Sequence, residues 1–283
     1  MIATAFGRIS LLLERALPSV YQQSGVRPEH ICVFIIDDNE RNGQPYSQAF
    51  FPIKEGVADL RHSLQVPENH FQTHVIANRR TQGNSGTGAW NTGIYAAGEQ
   101  DPGGYIGILD DDDAYLPFHL SRCVEVCQRN PNALAVFHSL RWIHEDHRTW
   151  DFPLTHDVLT PAAFFRGNPG VQGSNMFFRT DAMLAIGGFD ERYPNTTDRE
   201  LMIRFLWYVQ ELQTEAPDQN LIEVIKETGV LHYNHSQARV NGRNERKHKG
   251  LDMFYRAYRP FFSEEDYRYS LERAKAYFDY TPV

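Results

Sequence analysis

Through the first half of the chain, short aliphatic and β-branched runs alternate with stretches whose apolar positions recur at helical spacing. This is the pattern of parallel strands joined by crossover helices, so the class is α/β. Met1 to Phe6 predicts a first strand. Leu12, Leu13, Ala16, Leu17 and Val20 then predict a helix, with Ser10 as its expected N-cap and Pro18 as an expected kink. His30 to Ile36 reads as a buried strand that stops at Asp37 and Asp38, with Asn39 and Gly43 signalling a loop. A third strand is expected over Thr73 to Ala77, a helix over Thr87 to Ala97, and a fourth strand over Tyr105 to Leu109. That strand runs directly into Asp110, Asp111, Asp112 and Asp113, and Pro117 opens the next helix. Ala133 to Ile143 predicts a long strand, turned back by Glu145 to Arg148 into a hairpin with Trp150 and Phe152. The pattern then loosens. A Gly- and Asn-rich passage runs from Gly167 to Asn175, followed by a helix from Asp198 to Gln213 and a strand near Val230 to Tyr233. Ser236 to Gly250, with Arg239, Arg243, Arg246, Lys247 and Lys249, predicts a basic loop, and residues 251 to 280 predict terminal helices packed on the body.

Composition narrows the classes. With 283 residues, 41% of them hydrophobic and 23% charged, the chain has enough apolar surface for a core, which excludes a disordered or fibrous protein. A formal charge of -8 argues against a general nucleic-acid scaffold. No apolar run approaches the ~18 residues of a membrane-spanning helix. Leu11 to Leu13 are bracketed by Arg8 and Glu14 with no cleavage-site pattern after them, so no secretory signal is expected. Sparse use of cysteine (Cys32, Cys123 and Cys127) suits a reducing cytoplasm, the expected location. Cys123 and Cys127 stand one helical turn apart, which fits a metal-binding pair or, more commonly, two core-facing thiols.

The strongest chemical signal is the run Asp110 to Asp113. Four adjacent carboxylates repel one another and are tolerated mainly where a cation neutralises them. The bland alternative is a solvated acidic turn. Against it, a buried strand delivers these acids to the carboxyl edge of an open α/β sheet, where ligands bind. An oxygen-only cluster there suits Mg²⁺ or Mn²⁺ holding a diphosphate.

Taken in order, these segments resemble the nucleotide-sugar-dependent glycosyltransferases of family 2, which have the GT-A fold. The resemblance is carried by Thr4 and Arg8 in the opening strand and loop, by Phe34-Ile35-Ile36-Asp37-Asp38-Asn39, and by Ile108-Leu109-Asp110-Asp111-Asp112-Asp113-Ala114-Tyr115-Leu116-Pro117. It continues through Gly173-Ser174-Asn175-Met176-Phe177-Phe178-Arg179, Gly187-Gly188-Phe189-Asp190 and Thr196-Thr197-Asp198-Arg199-Glu200-Leu201. Each motif alone is weak; their order and spacing are specific. The resemblance implies a Rossmann-like, mixed but mainly parallel sheet flanked by helices, with a C-terminal helical extension. A catalytic domain would span 1–235, divided into a nucleotide-binding half, 1–117, and an acceptor half, 118–235. Residues 236–283 would form the basic loop and helices packed on the same domain.

By the same resemblance, Thr4 and Asp38 contact the nucleotide base, a carboxylate being able to accept the uracil ring N–H. Arg8 belongs to the nucleotide site and Asp110 lies near the ribose or the metal's water shell. Asp112 is the direct metal ligand, with Asp113 a second candidate. Arg79 and Arg80 stand where a basic residue reaches the diphosphate, although this chain has Thr87-Gly88-Ala89-Trp90 where family members often carry an arginine. Gly173, Ser174 and Asn175 line the acceptor side. Asp198 is the expected catalytic base; the competing local reading makes Thr197 an N-cap and Asp198 a first-turn acid facing the helix dipole. His232 and His235 flank Tyr233-Asn234, and His235 matches the family's further metal ligand. A histidine there would favour Mn²⁺ over Mg²⁺.

Such parts serve sugar transfer, in which positive charge builds at the anomeric carbon and negative charge on the departing diphosphate. A divalent ion offsets the latter while a carboxylate on the opposite face deprotonates the attacking hydroxyl, inverting the centre. The expected donor is a nucleoside-diphosphate sugar, with UDP as the expected nucleotide, and the expected acceptor is a sugar, lipid-linked sugar or other hydroxyl. Two alternatives predict different sequences. A nucleotidyltransferase that forms nucleotide sugars would carry a Gly-rich, Arg-containing loop after its first strand, and Thr4-Ala5-Phe6-Gly7-Arg8 is poor in Gly. A non-catalytic sugar- or calcium-binding relative would have lost Asp112 or Asp198, and both are present.

Overall fold

A computed structural model describes residues 1–5, 7–234 and 245–282. Its first sheet is wholly parallel. β1 (Ile2–Thr4) lies at its centre, flanked on one side by β2 (Cys32–Asp37) and then β3 (Gln72–Ala77), and on the other by β5 (Leu109–Asp110). The β2 side chains from Val33 to Asp37 are all buried, which explains why its sequence is a continuous apolar run rather than an alternation. Between these strands run a helical stretch over Ile9–Leu11, Leu12–Ala16 and Leu17–Tyr21 (α1), then α2 (Phe50–Ser63) and α3 (Thr87–Gln100). Leu12, Ala16 and Leu17 pack on Ile2, Ile35 and Leu109.

The second sheet is mixed, in the order β4 (Tyr105–Gly107), β9 (Met176–Arg179), β7 (Ala135–His144), β10 (Ile222–Asn234), β6 (Ala114–Tyr115), with β8 (Thr149–Phe152) hairpinned onto β7. Around it lie α4 (His119–Arg129), α5 (Pro161–Arg166), α6 (Thr180–Ala185), α7 (Thr197–Glu215), α8 (Glu245–Tyr258) and α9 (Glu264–Phe278). The C-terminal helices are integral to the larger core, where Phe254, Tyr255, Tyr258 and Phe262 join Phe137, Phe164, Phe178 and Phe205. Full burial of each such ring is worth about 1.5–3 kcal/mol.

Several elements differ from the sequence reading. The helix after β1 starts at Ile9, one residue ahead of Ser10, which therefore does not cap it. Its break is a π-helical turn over Leu12–Ala16 immediately before Pro18, which lacks the N–H a regular turn needs. Pro28–His30 form a 3₁₀ turn, so β2 begins at Cys32. The expected strand over Tyr105 to Leu109 is split between the two sheets: Tyr105–Gly107 pair with β9 and Leu109–Asp110 with β1. Gly107 sits at the crossing, where an added Cβ would lie 3.2 Å from the Tyr115 hydroxyl. The strand expected near Val230 extends back to Ile222, parallel to β7 throughout and interrupted by bulges around Thr228. Of the expected basic loop, Glu245 to Gly250 are helical; residues 236–244 lie outside the described residues, as does His235.

This topology sets the site. In the parallel sheet Thr4 is in register with Asp37, and Ala3 with Asp110, so β1, β2 and β5 end in one row. The antiparallel pairing of β6 with β10 brings Ala114 opposite Leu231, which sets the acidic turn against the end of β10.

Candidate active site

Along the carboxyl edge of the first sheet, Asp37 and Asp38 divide their work. Asp37 is buried and committed: Oδ1 accepts the Asn39 side-chain amide at 2.6 Å, and Oδ2 accepts the Ser47 hydroxyl at 2.5 Å. Asp38 turns outward from the strand end. Its Oδ1 accepts the Asn78 amide at 2.6 Å, and its backbone N–H donates to Thr4 O at 2.9 Å. Burial pushes its carboxyl up to about 6, with Asn78 and the Gly83 backbone holding it down and Asp37 adding to the rise. Asn78 was not singled out from the sequence. It is fully buried at the end of β3 and also donates to Thr81 O at 3.1 Å, while its Oδ1 accepts from Arg80 N and Thr92 Oγ1. Arg79 is exposed beside it, and Arg80 forms an ion pair with Glu191.

The four aspartates of the acidic turn occupy four environments. Arg8 reaches across from the first loop to bridge Asp111, at 2.7 Å, and Asp112. The Asp112 carbonyl accepts Arg15 Nη1 at 2.7 Å, and the Arg15 guanidinium lies 3.8 Å over the Tyr233 ring. Asp113 is fully buried, with Oδ2 accepting the Ser174 hydroxyl at 2.6 Å and His232 Nδ1 at 2.8 Å, and Oδ1 accepting the Tyr233 N–H at 3.0 Å. Asp110 donates its backbone N–H to Ser174 Oγ at 3.0 Å.

Repulsion and burial act together on these groups. Asp110 is pushed well above the usual carboxylate range by burial and by Asp113, Asp112 and Asp198; burial lifts Asp111 to about 7 against the pull of Arg8. Burial and Asp113 also raise Asp112. On His232, burial opposes the charge, but Asp113, Asp110 and Asp112 outweigh it and carry the ring to about 9. Even with Arg8 and His232 as cations beside them, full ionisation of these acids is therefore costly. Arg8 supplies the cation between Asp111 and Asp112, whose donors are oxygens of the kind hard divalent ions prefer.

Asp198 is the second residue of α7, two positions after Thr196, whose φ of +69° marks a left-handed turn. Thr196 occupies the N-cap position without a side-chain cap bond, so Thr197 is not the cap, while Asp198 does stand in the first turn, as the local reading expected. Burial raises Asp198 to about 6, with Lys247 and His232 pulling the other way. Its neighbours are spent on structure: Arg199 hydrogen-bonds the Phe164 and Phe165 carbonyls, and Glu200 pairs with Arg204 at 2.6 Å and accepts the Tyr258 hydroxyl at 3.0 Å. Lys247, grouped with the basic loop in the sequence, sits in the first turn of α8 and donates to Asn195 Oδ1 at 2.9 Å. Burial, with Arg199 and Arg273, drives it down to about 7 while Asp198 draws it up.

Gly173, Ser174 and Asn175 form a buried 3₁₀ turn under the acids. An added Cβ at Gly173 would touch Ile108 and Asp110 at ordinary contact distance. The Ser174 side chain is taken by the acidic turn. Asn175 donates to His138 O and Gly170 O and accepts from Gln172 N. Ser174 thus braces the acidic turn from below, while Asn175 ties its own loop to β7.

A parallel sheet whose acidic strand ends face a second, mixed sheet is the framework of GT-A glycosyltransferases, and solved structures agree. The fold matches TarS 1–349 from S. aureus, solved with UDP, at 11% identity over 98% of this chain and 71% of that one, with a TM-score of 0.59. It matches the mannosyltransferase PcManGT from Pyrobaculum calidifontis, solved with GDP-Man and Mn²⁺, at 14% identity over 97% and 68%, with a TM-score of 0.58. Against the longer TarS structure, the match covers 97% of this chain and 43% of that one. At these identities the likeness is one of fold. No curated protein matches the sequence. The model of glycosyl transferase family 2 matches residues 2–187, so the chain belongs to that family and is a glycosyltransferase. No helix among the described residues is long and apolar enough to cross a membrane.

Proposed function

We propose that this protein transfers a sugar from a UDP-linked donor to an acceptor hydroxyl with inversion, using Asp198 as the base. The observation that carries the reading is the convergence of three acidic groups from separate parts of the chain: Asp38 beside Thr4, Asp110 to Asp112 beyond β5, and Asp198 at the start of α7, close enough to Asp110 to raise it.

Asp38, held by Asn78, presents a carboxylate that accepts the uracil ring N–H; the cytosine ring nitrogen offers no such proton. Asp112 and Asp110 would hold a divalent ion, Mn²⁺ or Mg²⁺, which supplies Lewis-acid neutralisation of the leaving diphosphate. Asp113 acts from behind. Fixed by Ser174, His232 and the Tyr233 N–H, it sets the geometry of the turn. Arg8, which pairs with Asp111 and Asp112, would meet the diphosphate, and Arg79 is an exposed second candidate.

Asp198 receives the proton of the attacking hydroxyl. Its carboxyl near 6 is a stronger base than a free aspartate, yet far weaker than an alkoxide, so proton transfer accompanies attack rather than preceding it. Support for a nucleotide-sugar donor comes from the family and from the UDP and GDP-Man bound to the two structural relatives. The test is a thermal-shift and turnover screen of UDP-, GDP- and CDP-sugars with and without Mn²⁺. Stabilisation by UDP with Mn²⁺ and chelator-sensitive release of UDP are expected; a response to GDP-sugars alone would overturn the uridine donor, and a response to CDP-sugars alone would overturn the base contact of Asp38.

A further inference from the structure

Behind the acidic turn, in the core between α4 and the second sheet, lies a second group of ligand-type side chains that sugar transfer does not use. His119 begins α4 and Cys123 follows one turn later on the same face; His138 projects from the middle of β7 beneath them. All three are fully buried, and their donor atoms lie within 4.8 Å of one another. The pair suggested by sequence, Cys123 with Cys127, is not the grouping the fold makes: Cys127 turns toward Tyr105, and Cys123 toward the two imidazoles.

Two features of this cluster are unexplained by packing. The Gly229 backbone approaches His119, but neither ring nitrogen of this fully buried residue completes a hydrogen bond, an arrangement that normally costs about 1–3 kcal/mol. The ring stacks 3.8 Å from the Tyr115 centroid and 4.5 Å from that of His138. His138, in turn, sets its two nitrogens against two carbonyls, Glu227 O at 3.2 Å and His119 O at 3.3 Å. A neutral imidazole has one N–H, so only one carbonyl can be served. Both features resolve if a cation takes the free lone pairs while His138 Nδ1–H donates to Glu227 O, the usual way a metal-bound histidine is oriented.

We propose that His119, Cys123 and His138 bind a thiophilic d¹⁰ cation, Zn²⁺ or Cu⁺, at a structural site distinct from the acidic turn. One thiolate and two imidazoles suit such ions and not Mg²⁺. Binding forms a metal–sulfur bond and releases the Cys123 proton to solvent, with no change of oxidation state. Cu⁺ balances the single thiolate charge; Zn²⁺ needs a fourth ligand such as water. On one side His138 lies against the bulged segment of β10, where Lys226 and Glu227 are exposed and Gly229 leaves the room a Cβ would take from the ring at 2.4 Å. A loaded site would pin α4 to β7 under Tyr115, whose hydroxyl donates to Ile108 O at 2.6 Å just ahead of the acids.

The test uses the full chain stripped by chelator and titrated with Zn²⁺ alone, then with Cu⁺ under anaerobic reducing conditions. One tightly held equivalent is expected in both the unsubstituted protein and Asp112→Ala, with a rise in Tm of about 5 °C or more at a hundredfold excess over Kd. The equivalent and the Tm rise should vanish in Cys123→Ala with circular dichroism unchanged. Should that variant fail to fold, X-ray absorption of the unsubstituted metal-loaded protein decides, since sulfur at about 2.3 Å with nitrogen at about 2.0–2.1 Å is required. Absence of a tight equivalent, its survival in folded Cys123→Ala, or a shell without sulfur would each overturn the site. Loss of binding in Asp112→Ala alone would return the ion to the acidic turn.

Discussion

Replacing Asp198 by Asn tests the assignment of the base most directly, because the amide keeps the size of the carboxyl and removes only its basicity. The rise of its carboxyl from 3.8 to about 6 corresponds to about 3 kcal/mol in favour of the protonated form, the strength burial adds to the base. A positioned general base contributes about 10²- to 10⁴-fold, or about 3–5 kcal/mol on the barrier, and Asp198→Asn should lower kcat within that range. Donor affinity should change less than about twofold, since the proposed donor contacts lie at Asp38 and the acidic turn. The same assignment predicts a pH profile. The base acts ionised, so kcat should fall about tenfold per unit as pH drops below about 6, and that limb should be absent from the Asn variant. The assay is release of nucleoside diphosphate from the nucleotide sugar, with a panel of saccharide acceptors and with water as the slow default acceptor, alongside calorimetric donor binding. A variant retaining a third or more of kcat, or keeping the acid limb, would refute the reasoning and move the base elsewhere.

Asp112→Ala should abolish metal-dependent turnover while leaving the circular dichroism spectrum unchanged; turnover insensitive to a chelator in the unsubstituted protein would disprove the metal assignment. Asn78→Ala removes the amide that holds Asp38 and should raise the donor KM about tenfold with little change in kcat, read from initial rates. Gly188→Ala should destabilise the fold by about 1–3 kcal/mol, because φ is +66° and the new Cβ would lie 2.3 Å from Asn91 Oδ1, an atom that accepts the Phe189 N–H. Chemical denaturation measures this, and an unchanged midpoint would show that the corner relaxes.

Much of the fold is legible from local pattern. β2 shows in the sequence because a strand buried on both faces must be a short apolar run, and α7 shows because its amphipathic repeat continues through Val209. The acids at the ends of β2 and β5 are legible for the same reason, since the strand that carries them stops where they begin. The split of Tyr105 to Asp110 between two sheets is not, because no residue in that run distinguishes pairing with β9 from pairing with β1. Nor does any local signal show that Pro18 follows a π turn, or that β10 runs on through its bulges.

At the site, the sequence by itself determined which chemical groups are available: the aspartates at two strand ends and at a helix start, together with the order that marks the family. Tertiary structure decided what each one does. Four consecutive aspartates look alike along the chain, yet Arg8 takes two of them, while Ser174, His232 and Tyr233 immobilise the last. Asn78, His232 and Lys247 acquire their roles from partners 40, 119 and 52 positions away. The physical reason is that a carboxylate's charge state and freedom are set by burial and by the few neighbours within hydrogen-bond reach, and the fold chooses those neighbours across the whole chain.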